Sequence, residues 1–199
     1  WIHATRYNPN LTVLLLDNNI YGLTKNQTSP TTPQGYFSNT SPKGSVLPAL
    51  NPLQTTLGVS NASFVAQTAD WVPAHLYATL QAAYEHKGFS FVRILQRCPK
   101  FTPDVFAENI KNPDLTELLV HENGVNAPGL DKLFKATRVH DPKDLDEARA
   151  LAQRKDLLRL GMFFRDDEFP VYDEIRAVPP VTPEEKVKRL EKEFDRYAV

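Results

Sequence analysis

The sequence predicts an α/β fold with a mostly parallel sheet flanked by helices, and three observations carry that expectation. Residues 11–16 form a continuous apolar run, short enough for a strand and without the polar alternation of a strand that has one wet face. Residues 64–95 read as strand, helix, strand, the unit from which parallel sheets are wound. Further amphipathic stretches with helix-capping residues follow in the second half of the chain.

Taken in order, residues 1–8 read as the end of a helix already under way, so the sequence is expected to lack its natural beginning. The run at 11–16, holding Thr12 and Val13, is expected inside the sheet, buried on both faces. From Asn18 to about Pro52 the composition turns to Ser, Thr, Pro, Gly and Asn. That is a loop far longer than the common connections, and loops of this size are usually functional or disordered. A short strand is expected at 64–66. A helix follows at 73–87, with Leu76, Leu80, Ala83 and Tyr84 on one face and Gly88 as its stop. A strand at 89–95 then delivers the loop 96–103 to the carboxyl end of the sheet, where open α/β sheets place ligands. Asp141-Pro142 is expected to open a helix, and residues 157–164 a late strand ending at Arg165. Thr182-Pro183-Glu184-Glu185 has the form of a capping box. The stripe Val187, Leu190, Phe194 and Tyr197 behind it must be buried, on its own domain or on a partner.

Composition narrows the function classes. The chain has 199 residues with 41% hydrophobic and 24% charged side chains, enough to bury a core. A net charge of -1 gives no basic surface for nucleic acid or an anionic membrane. No apolar run approaches a membrane span and no leader opens the chain, so a soluble, cytoplasmic protein is expected. Cys98 is the only cysteine, which excludes an internal disulfide and any site built from several cysteines of this sequence. The five histidines show no i, i+4 pair for a helix-borne zinc site, although His3 lies close enough to the first strand to approach a ligand at its end. Gly-x-Gly-x-x-Gly, Walker and Gly-x-Ser-x-Gly patterns are absent.

The chemistry concentrates where the first strand ends. Asp17-Asn18-Asn19 places carboxylate and amide oxygens at a strand's carboxyl end, suited to a hard cation and the phosphates it bridges. The plainer alternative is a turn, since Asn and Asp hydrogen-bond their own backbone there. Lys25 could meet a carboxylate entering a partly desolvated pocket, or could be a lysine whose head stays in water. Cys98 could be a ligand or an inert small hydrophobe.

The longer string Leu16-Asp17-Asn18-Asn19-Ile20-Tyr21-Gly22-Leu23-Thr24-Lys25-Asn26-Gln27-Thr28-Ser29-Pro30 resembles the second half of the thiamine-diphosphate motif in beta subunits of 2-oxoacid:ferredoxin oxidoreductases. The resemblance continues through Pro48-Ala49-Leu50-Asn51-Pro52, His86-Lys87-Gly88-Phe89 and Leu95-Gln96-Arg97-Cys98-Pro99, and fades after about Val105. It implies a thiamine-diphosphate-binding fold over residues 1–165, incomplete at its N-terminus, and a C-terminal extension with a terminal helix over 166–199. It further implies that Asn18, through its side chain, and Ile20, through its carbonyl, bind Mg²⁺. Asp17, Asn19, Tyr21, Gly22 and Thr24 would shape the cofactor site, and Leu23 and Lys25 would lie on the substrate side. Cys98 matches the last of four cysteines holding a [4Fe-4S] cluster, the other three lying upstream of this sequence.

The implied activity is oxidative decarboxylation of a 2-oxoacid, with 2-oxoglutarate favoured by the Leu23–Lys25 pair, to an acyl-coenzyme A and CO₂. Electrons would pass to ferredoxin, and an alpha subunit would complete the enzyme. The alternatives are a thiamine-dependent decarboxylase or ligase without a cluster, and a non-catalytic subunit that retains the fold. Asn26 stands where the family usually has glycine; if that position needs positive φ, asparagine is the best substitute.

Overall fold

The computed structural model describes residues 1–177 and 181–197, the side chain of Asp131 excepted. Among the described residues six strands form one mixed sheet, β1 (Leu11–Asp17), β2 (Phe64–Ala69), β3 (Phe89–Leu95), β4 (Thr116–Val120), β5 (Ala136–Val139) and β6 (Leu158–Arg165), in the order β1-β3-β2-β6-β4-β5. Strands β1, β3 and β2 are mutually parallel, as are β6, β4 and β5, and the two halves meet in one antiparallel pair, β2 with β6. The carboxyl ends of β1, β2 and β3 therefore share one edge of the sheet with the start of β6.

Helices cover both faces. On one face α2 (Pro52–Leu57) and α6 (Leu145–Gln153) enclose Leu53, Leu57, Phe89, Phe91, Leu151 and Phe163. On the other, α3 (Pro73–Glu85) lies over Phe64, Val92, Ile94 and Met162. Full burial of a phenylalanine or leucine contributes about 1.5–3 kcal/mol, and Phe64, Phe89, Phe91 and Phe163 are each wholly or almost wholly buried. Four further short helices are α1 (Ile2–Tyr7), whose Ala4 packs on the first core face, α4 (Ala107–Lys111), α5 (Leu130–Leu133), whose Leu130 is buried, and α7 (Tyr172–Ile175); α8 (Pro183–Tyr197) follows. Among the described residues no helix is long and apolar enough to cross a membrane.

The α/β class and the mostly parallel sheet agree with expectation, while several details do not. β1 is an edge strand among the described residues, and Leu11, Leu14 and Leu16 are exposed rather than buried. An unbroken apolar run reports an apolar surface; it does not report which strand covers it. On α3 the buried stripe is His75, Thr79 and Ala83, with Leu76 and Leu80 beside it, and Tyr84 points to solvent. The helix also ends at Glu85, with His86 leaving in an extended conformation before Gly88.

Asp141-Pro142 forms a turn, and α6 begins only after Asp144, whose carboxylate accepts the Glu147 N–H at 2.9 Å. The capping box at Thr182 is formed in both directions, Thr182 N–H to Glu185 at 3.0 Å and Glu185 N–H to Thr182 at 3.2 Å. The stripe behind it is exposed along its whole length, so burial of α8 on its own domain does not occur among the described residues.

Candidate functional site

The long loop after β1 is tied down by side chains rather than by regular structure. Thr28 Oγ1 lies 2.7 Å from Ser38 Oγ and 2.9 Å from Ser41 Oγ, and Ser45 donates to the Pro33 carbonyl. Thr32 donates to the Asn19 carbonyl at 2.6 Å, and Tyr36 donates to the Phe101 carbonyl at 2.7 Å, fastening the loop to the segment after β3. These hydroxyls add side-chain cross-links to the irregular backbone bonds of the loop, among them the Gly35 N–H to the Ser45 carbonyl at 2.8 Å and the Asn39 N–H to the Asn26 carbonyl at 2.9 Å.

At its root, β1 ends in Asp17, which is buried. One carboxylate oxygen accepts the Asn19 N–H at 3.1 Å and the Thr31 hydroxyl at 2.5 Å. The other accepts Nε and Nη2 of Arg93, on the neighbouring strand, at 2.8 and 2.5 Å. Asn18 Oδ1 accepts the Ile20 N–H at 3.2 Å and keeps a second lone pair. Ile20 is buried, and Asn19 takes φ 60°, a left-handed turn that asparagine tolerates. Lys25 and Asn26 follow at φ 70° and 62°, so asparagine at 26 does adopt the backbone that glycine would favour.

The Oδ1 atoms of Asn19 and Asn26 are buried without a hydrogen-bond partner, acceptors of the kind a bound cation or polar ligand would engage. A cavity of about 210 Å³ opens beside the turn, lined by Leu15, Asp17, Asn18, Ile20 and Tyr21 from one side and Pro52 from the other. Leu23 is 99% exposed and Thr24 and Lys25 are also exposed.

The loop after β3 meets this turn from below. Thr102 Oγ1 donates to the Asn18 carbonyl at 3.0 Å and accepts the Cys98 N–H at 3.2 Å, and the Gln96 N–H reaches the Asp17 carbonyl at 3.0 Å. A Cβ placed on Gly22 would lie 2.8 Å from Cys98 Sγ, so only glycine admits that approach. The Phe101 N–H, with those of Lys100 and Thr102 and the Lys100 charge, holds the Cys98 thiol below its ordinary range, against a smaller opposing effect of burial. Such a sulfur is a readier ligand than an inert core thiol. Asn18, Ile20, Gly22 and Cys98 thus converge across two chain segments that no local motif joins.

Sequence reasoning missed Arg93 and Thr102. Neither carries a local signal, because each partner lies more than seventy residues away in the chain. His3 packs against Tyr7 on α1, exposed, with ring centroids 4.9 Å apart. Groups of three or more His, Cys, Asp or Glu able to hold a metal by themselves are absent among the described residues. Ser63, His86 and Asp167 have the connectivity of a nucleophilic triad, with 2.9 and 3.1 Å contacts. Ser63 is fully buried and donates its proton to Asn8 at 2.7 Å, so it serves the core.

Comparison with known proteins is consistent with this geometry. Residues 1–94 match the family described as thiamine pyrophosphate enzyme, C-terminal TPP binding domain. The chain is 44% identical to the 2-oxoglutarate oxidoreductase subunit KorB of Mycobacterium tuberculosis over 105 residues, 53% of this chain and 28% of that one. It is 28% identical to the 2-oxoacid:ferredoxin oxidoreductase subunit beta of Sulfolobus sp over 186 residues, 90% of this chain and 57% of the other. A solved structure of 2-oxoglutarate:ferredoxin oxidoreductase from Magnetococcus marinus, with 2-oxoglutarate, coenzyme A and succinyl-CoA bound, superposes with a TM-score of 0.72 at 30% identity. That match covers 95% of this chain and 60% of the other. The chain thus spans at most about three fifths of the proteins it matches here.

Proposed function

Since this chain is a relative of the beta subunits of 2-oxoacid:ferredoxin oxidoreductases, we propose that it supplies the Mg²⁺- and diphosphate-holding part of a thiamine diphosphate site in an enzyme of that kind. The observation that carries the reading is the meeting of the Asn18–Gly22 turn with Cys98 at the carboxyl ends of adjacent parallel strands. In this reading the Asn18 side chain and the Ile20 carbonyl hold Mg²⁺, an oxygen-only set suited to a hard cation. Asp17 and Asn19 fix the turn, while Tyr21, Gly22 and Thr24 border the cofactor. Lys25 receives the substrate carboxylate, and Leu23 packs beside it.

When bound, thiamine diphosphate supplies the electron sink for decarboxylation, and the chain supplies position and charge. The exposure of Leu23, at 99%, and of Lys25 supports a pocket completed by an alpha subunit. Cys98, whose thiol the nearby Phe101 amide holds below its ordinary range, suits one corner of a [4Fe-4S] cluster. This sequence holds no other cysteine, so the remaining three ligands lie elsewhere and no electron step is assigned to these residues. Ferredoxin as acceptor, coenzyme A as acyl acceptor and 2-oxoglutarate as the favoured 2-oxoacid complete the proposal. The last rests on the Leu23–Lys25 pair and on relatives named for that acid. We propose residues 1–165 as the thiamine domain and 166–199 as its extension, and a cytoplasmic setting.

The test is cofactor analysis of the protein purified in its full natural length with its partner subunit. Thiamine diphosphate together with iron and sulfide is expected, and Cys98→Ser should lose iron while keeping the thiamine cofactor. Thiamine diphosphate without iron would favour the cluster-free decarboxylase or ligase. Neither cofactor would leave a non-catalytic subunit and overturn the reading.

A further inference from the structure

We propose that Arg93 is a positioning residue for the Mg²⁺-diphosphate turn, acting through Asp17; the inference rests on the thiamine reading above. In the parallel register Arg93 stands opposite Leu15, so its side chain runs along the sheet and reaches the carboxylate two residues further on, where β1 becomes the loop. All three guanidinium nitrogens are used. Nε and Nη2 donate to one oxygen of Asp17 at 2.8 and 2.5 Å, and Nη1 donates to Gln67 Oε1 at 3.1 Å. Gln67 donates in turn to the Arg159 carbonyl at 2.7 Å, so the guanidinium is braced on β2 and, through it, on β6.

The other oxygen of Asp17 holds the Asn19 N–H and the Thr31 hydroxyl, which are the first turn of the loop and the point where the loop returns. One carboxylate therefore joins the sheet on one side to both ends of the segment of residues 19–31 on the other. Both its oxygens are engaged within the protein, so Asp17 itself is not free to bind a cation, whereas Asn18 Oδ1 keeps a lone pair and Asn19 Oδ1 has no partner. The pair is well enclosed, Asp17 at 3% and Arg93 at 16% side-chain exposure, so it is neither screened nor replaceable by water as a surface pair is. Lysine, a single point charge, cannot reproduce two donors on one oxygen and a third on an amide.

The experiment uses the full natural chain with its partner subunit and two readouts. One is calorimetric binding of Mg²⁺-thiamine diphosphate; the other is amide hydrogen exchange of the protein without cofactor. Arg93→Gln is expected to weaken binding about 10- to 100-fold, the range for partners that orient metal ligands. It should also speed exchange at the Asn19, Ile20 and Tyr21 amides while β2 and α3 keep their protection. Arg93→Lys should recover only part of the affinity, and the neutral pair Asp17→Asn with Arg93→Gln should recover some of what Arg93→Gln alone loses.

Unchanged affinity and unchanged loop exchange in Arg93→Gln would overturn the proposal. So would exchange rising equally through β2 and α3, the mark of a general loss of fold. If the wild type takes up no thiamine diphosphate, it is the functional reading that fails, and loop exchange in Arg93→Gln still decides whether Arg93 positions the turn.

Discussion

The loop of residues 18–51 and the helix α8 separate regular backbone from tertiary anchoring. The loop has almost no helix or strand, yet its hydroxyls, Asp17 and Tyr36 tie it to itself, to β3 and to the segment beyond β3. The helix is regular over Pro183–Tyr197 and correctly capped, yet its apolar stripe rests on nothing among the described residues. Anchoring to the rest of the molecule comes from polar cross-links and covered apolar area, and regular backbone hydrogen bonding is a separate matter.

The contrast can be broken most forcefully at the loop's root. Asp17→Ala leaves Arg93 enclosed without its carboxylate, and breaking a buried pair on one side costs about 3–5 kcal/mol. Denaturant unfolding should show that loss, together with faster proteolysis between residues 18 and 51; a change under 1 kcal/mol would mean that the pair is not a tether.

A helix that does pack gives the next largest effect. Burial lowers the pKa of His75, on α3, to about 4 from 6.5. Its folded pKa lies below its unfolded one, so the unfolded chain binds more protons between those values. Stability is then fully present above pH 6.5 and falls as the pH drops toward 4, by up to about 3 kcal/mol. Unfolding free energies measured across that range should carry this slope, and His75→Gln should flatten it. An equal slope in the variant would assign the pH dependence to other groups.

A smaller effect is expected where the two loops touch. Gly22→Val puts carbon into the space of Cys98 Sγ, and overpacking of this kind costs about 1–3 kcal/mol. Cys98 should become more reactive toward a thiol reagent as its loop is displaced, and Cys98→Ala should relieve part of the stability loss. At the other end of the scale, Leu190→Ala with Phe194→Ala on α8 should change the stability of the isolated chain by less than about 0.5 kcal/mol. A larger loss would reveal a packing partner for the stripe.

These same regions show what the sequence could convey. The strand at Phe89–Leu95 was legible because a short run of β-branched and aromatic residues follows a helix stop, and the end of β6 at Arg165 was legible because a charged residue follows the apolar run Leu160–Phe164. The edge position of β1 was not, because strand order depends on pairings between segments remote in sequence. β4 and β5, five and four residues long, lie at the short end of the range over which alternation marks a strand. The start of α6 shifted because Asp141 and Asp144 are both able to cap, and only packing of Ala148, Leu151 and Ala152 chooses between them. At the candidate site, the string from Asp17 to Lys25 marked the turn. Arg93 and Thr102 were invisible, since a lone arginine in a strand or threonine in a loop has meaning only beside its distant partner.

In the proposed function the turn at Asn18 and Ile20 seats Mg²⁺ and the diphosphate of a thiamine cofactor. The most direct test is titration of thiamine diphosphate, with and without Mg²⁺, into the full natural chain and its partner subunit, for the wild type and Asn18→Ala. The account predicts saturable, Mg²⁺-dependent binding by the wild type, weakened at least about 10-fold in the variant. Equal affinity in the two proteins, or binding indifferent to Mg²⁺, would contradict it.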